Sequence, residues 1–163
     1  MENLLKKIYS TPTLYKALLV LSKVIVVITL PAFIFTVWHA YTLSPLSAVK
    51  VCAICGVPFV IVTLARRFIN APRPYELYDF YDKAPKKKSG SSFPSRHAFS
   101  VFVIGTVLTF AYPILGAALL TLGLALCTLR VLCGIHFIRD VVAGALLGAV
   151  SGVVGVLFTS PFL

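Results

Sequence analysis

Apolar residues fill most of the chain, in runs that are long enough to cross a membrane. Five runs stand out, at about 15–41, 45–65, 97–112, 114–132 and 137–158. Because roughly 20 helical residues span about 30 Å of hydrocarbon, the pattern predicts an all-α polytopic transmembrane helix bundle of about five spans. Small residues at Gly144, Gly148, Gly152 and Gly155 predict that the last span contacts a neighbouring helix closely.

Two segments fall outside these runs. In residues 1–12 the apolar positions oppose Lys6 and Lys7, which predicts a short interfacial helix; a frayed end is the simpler alternative. Residues 66–94 form the only long polar stretch, and we expect a loop there, outside the hydrocarbon. Residues 1–163 are expected to form one integral-membrane domain.

The composition agrees with a membrane protein. The chain is 59% hydrophobic and 12% charged, whereas soluble domains have about 45–50% and about 25%. A soluble domain and a disordered chain are therefore excluded. Lys and Arg number 15 against 5 Asp and Glu, and this excess is suited to anionic headgroups or an anionic substrate rather than to a nucleic acid. We expect an integral protein of the cell membrane.

Polar residues that interrupt the runs are predicted to meet at one end of the bundle. Alternating spans place the starts of the first, third and fifth, and the ends of the second and fourth, on one membrane face, here called the site face. Ionisable residues inside spans are functional hypotheses by default. The set on this face is Arg66, Arg67, Arg73, Ser95, Arg96, His97, Arg130, His136, Arg139 and Asp140.

Two histidines in this set are suited to acid–base or nucleophilic chemistry. His136 and Asp140 are four residues apart and share one helical face. The carboxylate can hold one imidazole nitrogen as N–H and leave the other as a nucleophile or base. The alternative is a buried histidine whose hydrogen bond to Asp140 has only a structural role. His97 lies near the start of the third span, where it could protonate a leaving oxygen.

The other polar residues of the set are suited to binding an anion. Ser95 follows Pro94 and is a predicted N-cap, so that helix N–H groups face the same surface. Arg66, Arg73 and Arg130 offer forked donors for phosphate, although arginines at span ends also contact lipid headgroups. No acidic cluster would hold a metal. Together these residues indicate phosphoryl transfer through a histidine, without a metal or cofactor.

The spacing resembles a three-part family signature. Arg66-x6-Arg73-Pro74, Pro94-Ser95-Arg96-His97 and Arg130-x5-His136-x3-Asp140 resemble the motifs of the type-2 phosphatidic acid phosphatase superfamily, membrane lipid-phosphate phosphatases related to the vanadium haloperoxidases. The resemblance implies that His136 is the nucleophile and forms a phosphohistidine, that Asp140 orients it, and that His97 is the acid. It assigns the phosphoryl oxygens to Arg66, Arg73, Ser95 and Arg130.

Three positions depart from the family pattern. Arg66 replaces a lysine, and Leu129 replaces the serine before the third-motif arginine. Arg96 replaces the glycine of the second motif, where its cation could reach a second phosphate or a headgroup; we therefore count it among the substrate-binding residues. Members of the family commonly have six spans.

Several functions remain open from sequence. The expected substrate is a lipid phosphate such as phosphatidic acid or phosphatidylglycerol phosphate, a polyprenyl (undecaprenyl-type) diphosphate being the alternative. A transporter of lipid or phosphate without catalysis belongs to a different class. Cys133 and Arg139 also fit the C-x5-R loop of cysteine-dependent phosphatases, but His136 occupies a position where that loop requires glycine.

The charges also bear on which membrane side the site faces. Fourteen of the fifteen cations are predicted on the site face, with Lys50 alone opposite. The positive-inside bias makes that face cytoplasmic, and the lysines at Lys6, Lys7 and 86–88 keep this preference when the catalytic arginines are set aside. The family resemblance implies the outer or lumenal leaflet instead, so the two arguments disagree.

Overall fold

Helices make up nearly all of the described chain. In this computed structural model residues 8–77 and 89–162 are described. Its helices are α1 Pro12–Leu43, α2 Pro45–Ile69, α3 Pro74–Leu77, α4 Arg96–Ala111, α5 Pro113–Leu132 and α6 Ile138–Thr159. The described residues contain no strand, which confirms the predicted all-α bundle.

Helix α4 is the centre of the bundle and contacts all four of the other long helices. Its Phe99, Val101 and Val107 are at most 1% exposed. The 16 residues of α4 rise about 24 Å, less than the roughly 30 Å of a hydrocarbon core. The five predicted spans therefore correspond to four helices long and apolar enough to cross a membrane and one shorter helix that they enclose.

The outer faces of the long helices are apolar. Val27 on α1, Ile61 on α2 and Leu157 on α6 are 69%, 60% and 67% exposed. Soluble monomers rarely expose apolar surface on this scale, whereas lipid tails cover it favourably. The chain is an integral membrane protein.

Close contact between α4 and α6 depends on glycine. A Cβ on Gly144 would lie 2.4 Å from the carbonyl oxygen of Ser95, and one on Gly148 would lie 2.4 Å from that of Phe99. No side chain fits at such distances, which confirms the close contact predicted from the glycine spacing. The contact fixes the start of α6, with Asp140, against the start of α4.

The polar loop begins later than the sequence predicts. Helix α2 continues to Ile69 and ends at Asn70, which is left-handed with φ 42°. Arg66, predicted at the start of the loop, therefore lies in the last helical turn, where its charge complements the helix dipole. Residues 1–7 and 78–88 lie outside the described residues, and with them most of the predicted interfacial helix. Ile8 and Tyr9 are buried.

Candidate active site

The site-face end of the bundle contains a basic cavity of about 340 Å³, here called the site cavity. Six of its lining residues were predicted from sequence, namely Arg66, Arg73, Arg96, His97, Arg130 and His136. Leu19, Tyr75 and Ile135 also line it, together with Lys23 of α1. The sequence analysis did not assign Lys23 to the site, because nothing in a single apolar helix tells which face meets the site.

His136 is held at its Nδ1 nitrogen. Nδ1 lies 3.6 Å from Oδ2 of Asp140 and 3.3 Å from Oγ of Ser92. The Ser92 hydroxyl donates to the same aspartate oxygen, which also accepts the backbone N–H of Phe137 at 3.0 Å. His136, Asp140 and Ser92 are all buried. With Nδ1 engaged, Nε2 is left as the lone-pair nitrogen that a nucleophile requires.

Ser92 is another polar residue of this site that the sequence analysis missed. Its side chain is fully buried, and its N–H donates to the carbonyl of Ala71 at 2.9 Å. The available signal is the polar run 89–92 just before the second motif. That run contains three serines, and the local sequence does not show which one turns inward.

Burial lowers the pKa of His136 to about 4. The charges of Arg73 and Arg66 act in the same direction, while the neighbouring carboxylate of Asp140 opposes them. The imidazole is therefore uncharged at neutral pH, and its lone pair is available. A lowered pKa in a buried pocket with charged neighbours is common at catalytic sites.

The start of α4 brings Ser95 and His97 to the site. Ser95 caps the helix, because its hydroxyl oxygen accepts the N–H of Ala98 at 3.5 Å, and its own N–H donates to the carbonyl of Asp140 at 2.9 Å. These bonds join the second and third motifs through the backbone. Binding of a phosphoryl oxygen by Ser95 stays a prediction. His97 lies in the first turn and lines the site cavity.

Arg130 serves the site with its backbone and its side chain. Its carbonyl accepts the N–H groups of Ile135 at 3.0 Å and of His136 at 3.3 Å, closing a turn in which Gly134 has φ 64°, a value that glycine adopts readily. Its Nε is buried and has no hydrogen-bond partner among the described residues. Buried donors are normally paired, so this nitrogen is suited to a bound anion.

Arg66 and Arg73 also hold the segment before the second motif. Both terminal nitrogens of Arg66 donate to backbone carbonyls, one to Pro94 and the other to Ser91. Arg73 Nε donates to the carbonyl of Gly90 at 3.1 Å. These bonds give Arg66 a structural role that the sequence did not predict; its binding of a phosphoryl oxygen stays a prediction.

The cysteine-phosphatase alternative does not fit the structure. Cys133 is fully buried, and burial raises the pKa of its thiol to about 11 despite the opposing charge of Arg130. A protonated thiol is a poor nucleophile. The Arg139 side chain is 65% exposed and its guanidinium lies 5.2 Å from the centre of the Phe137 ring. The two residues therefore do not form a phosphate-binding loop.

Fold and site together define a membrane-embedded enzyme of the phosphoric ester hydrolase class. The sequence profile of the PAP2 superfamily matches residues 47–162, which include all three motifs. The chain belongs to the PAP2 superfamily, as the motif resemblance predicted.

Two solved structures share the fold. Aquifex aeolicus LpxE is 24% identical with a TM-score of 0.72, over 95% of this chain and 93% of that chain. A transmembrane PAP2-type phosphatidylglycerolphosphate phosphatase from Bacillus subtilis is 18% identical with a TM-score of 0.70, over 99% of this chain and 87% of that chain. No curated protein sequence matches.

Proposed function

We propose that this protein hydrolyses the phosphate monoester or diphosphate of a lipid through a phosphohistidine at His136. The observation that carries the proposal is the buried imidazole of His136, with Nδ1 held beside Asp140 and Ser92. It lines a cavity that also holds Arg73, Arg96 and other cations. A neutral nucleophile within a cationic cavity is the pairing that attack on a phosphate dianion needs.

The first step is binding and attack. Arg66, Arg73 and Arg130 hold the phosphoryl oxygens, and Arg66 also keeps the cavity wall in place. The Nε2 lone pair of His136 forms a bond to phosphorus as the bond to the leaving oxygen breaks. His97, which lines the same cavity, gives its proton to that oxygen. Positioning and charge stabilisation supply most of the acceleration in phosphoryl transfer.

The second step is hydrolysis of the phosphohistidine. His97, now without its proton, removes a proton from a water molecule as the water oxygen attacks phosphorus. The bond between phosphorus and Nε2 breaks, its electron pair returns to His136, and inorganic phosphate leaves. The negative charge of Asp140 stabilises the imidazole while it carries the phosphoryl group.

An apolar groove that adjoins the site cavity supports a lipid as the substrate. The groove, of about 330 Å³, shares Arg96 and His97 with the site cavity and extends along α4 past Val101 to Ile104. Such a groove is suited to an alkyl chain. Phosphatidic acid and phosphatidylglycerol phosphate fit these requirements, and the structural relative from Bacillus subtilis is a phosphatase of the second.

The test is phosphate release from defined lipid phosphates in detergent, with and without a chelator. Described residues include no group of three His, Cys, Asp or Glu side chains that could hold a metal, so we expect the chelator to have no effect. Vanadate should inhibit, since it adopts the five-coordinate geometry of the reacting phosphorus.

Two variants identify the nucleophile in the same assay. His136→Ala should reduce turnover to a trace, while Cys133→Ser should keep most of it. Tight lipid binding by the wild-type protein without phosphate release would favour a transporter. Activity that needs magnesium, or that survives in His136→Ala, would contradict the mechanism.

A further inference from the structure

Arg96 lies where three cavities meet. It lines the site cavity and the apolar groove along α4. It also lines a third space of about 290 Å³ beside the end of α2, here called the polar cavity. A glycine at this position, as in the family motif, would place no side chain where the three cavities meet. The cation of Arg96 is therefore a feature of this chain rather than of the family pattern.

The groove shows on which side of the reacting phosphate the lipid lies. His97, Ser100, Val101 and Ile104 form its α4 wall and share one helical face. Because His97 is the proposed acid, the leaving oxygen lies at the mouth of the groove and the lipid chain continues along it. Arg96 lies at this mouth, so it is placed to contact whatever group joins the reacting phosphate to the chain.

The polar cavity is strongly cationic. Arginine side chains at Arg66, Arg67, Arg73 and Arg96 line it, together with Thr63 and residues 89–91. The cavity shares three of these arginines with the site cavity. Like charges in such proximity repel one another, and a bound anion would relieve the repulsion. Glu76 lies beside this cavity, where its carboxylate accepts the N–H of Gly90 at 2.7 Å, but the four lining arginines outnumber it. Among the described residues, one phosphate in the site cavity would therefore leave part of this charge unmatched.

We propose that the preferred substrate carries two phosphate groups, one that reacts at His136 and a second that Arg96 binds at the junction with the polar cavity. The inference rests on the proposed phosphatase function and specifies its substrate class. Two kinds of lipid supply this chemistry. In a lipid diphosphate the groups are adjacent, whereas in phosphatidylglycerol phosphate a glycerol separates them.

The experiment compares three lipids with the same two acyl chains: phosphatidic acid, diacylglycerol diphosphate and phosphatidylglycerol phosphate. Arg96→Gly should lower kcat/KM for a two-phosphate lipid about 10- to 100-fold more than for phosphatidic acid, the effect of losing a charged hydrogen bond. Of the two lipids with two phosphates, the one whose kcat/KM falls more in Arg96→Gly shows which spacing of the phosphates the site prefers. Arg67 lines the polar cavity but not the site cavity. Arg67→Gln should therefore lower kcat/KM for phosphatidylglycerol phosphate alone.

A matched control separates specific binding from overall charge. Lys50→Gln removes one cation at the opposite end of α2, and any change in kcat/KM should be the same for the three lipids. Equal losses on all three lipids in Arg96→Gly would overturn the inference, because they would assign Arg96 a general supporting role.

A binding measurement keeps this inference distinct from the proposed function. In protein carrying His136→Ala, titration calorimetry should show a two-phosphate lipid binding more tightly than phosphatidic acid, and Arg96→Gly should remove the difference. If the wild-type protein released no phosphate but this difference persisted, the phosphatase proposal would fail and the two-phosphate site would stand. If phosphate were released but the two kinds of lipid bound equally tightly, the phosphatase proposal would stand and the two-phosphate site would fail.

Discussion

The Ser92 hydroxyl donates a hydrogen bond to Oδ2 of Asp140. The distance from that oxygen to His136 Nδ1 is 3.6 Å, beyond the usual length of a hydrogen bond, while Ser92 Oγ is 3.3 Å from the same nitrogen. The carboxylate therefore orients the imidazole partly through the serine. In this arrangement Ser92 is a positioning residue, because its hydroxyl contacts both the imidazole of His136 and the carboxylate of Asp140.

Replacement of Ser92 should lower turnover without weakening substrate binding. Ser92→Ala removes the group that fixes Nδ1, and we expect kcat to fall about 10- to 100-fold, as for other removed orienting contacts, with KM nearly unchanged. Steady-state kinetics on a lipid phosphate measure both constants. Ser91→Ala, in the same segment, is the control and should keep the wild-type kcat. A raised KM at constant kcat would show instead that Ser92 contacts the substrate.

The pH dependence should report the pKa of His136. Since burial lowers this pKa to about 4, kcat/KM should fall about tenfold per pH unit only below that value, where protonation removes the lone pair. In Asp140→Asn the influence that raises the pKa is lost, so the acidic limb of the residual activity should move to lower pH. The rate itself should fall about 100-fold or more. A limb that moves to higher pH would contradict the assigned contact.

Local spacing explains which parts of the site could be predicted. His136 and Asp140 are only four residues apart, so local chain geometry brings them together, although His136 lies just before the N-cap Phe137 and not on the helical face that the sequence predicted. Ser92 and Asp140 are 48 residues apart, and their contact depends on how α6 packs on α4. The bonds from Arg66 to the segment before Ser95 depend on the fold in the same way. Hydrophobic runs predicted the helices, including the 16 residues of α4, but not that the other long helices enclose α4.

Packing of α6 on α4 should be essential for the site. Gly144→Ala places a Cβ 2.4 Å from the carbonyl oxygen of Ser95, and overpacking of this kind costs about 1–3 kcal/mol. We expect a lower midpoint of thermal unfolding in detergent and a lower kcat, because Asp140 and Ser95 are displaced. Gly56→Ala is the control, since nothing lies within 4 Å of its Cβ. Equal stability of the two variants would contradict the contact.

The charges of the described residues favour a cytoplasmic site face. Arg139 lines neither the site cavity nor the polar cavity, so it counts in the positive-inside comparison without a catalytic reason. Lys16, near the start of α1, belongs to the same end of the bundle and lines neither of these cavities. Against them stands Lys50, near the start of α2. Since positive loops are retained in the cytoplasm, the site should face inward, contrary to what the family resemblance implied.

Thiol labelling on intact cells tests this orientation. Single cysteines replace Ser89, exposed on the site face, and Thr42, exposed near the end of α1, in a background without the four native cysteines. An impermeant reagent should label position 42 and leave position 89 unlabelled until the cells are opened. Labelling of position 89 alone would place the site on the outer face. Labelling of both in intact cells would contradict the crossing of α2 between them, because one helix separates the two positions.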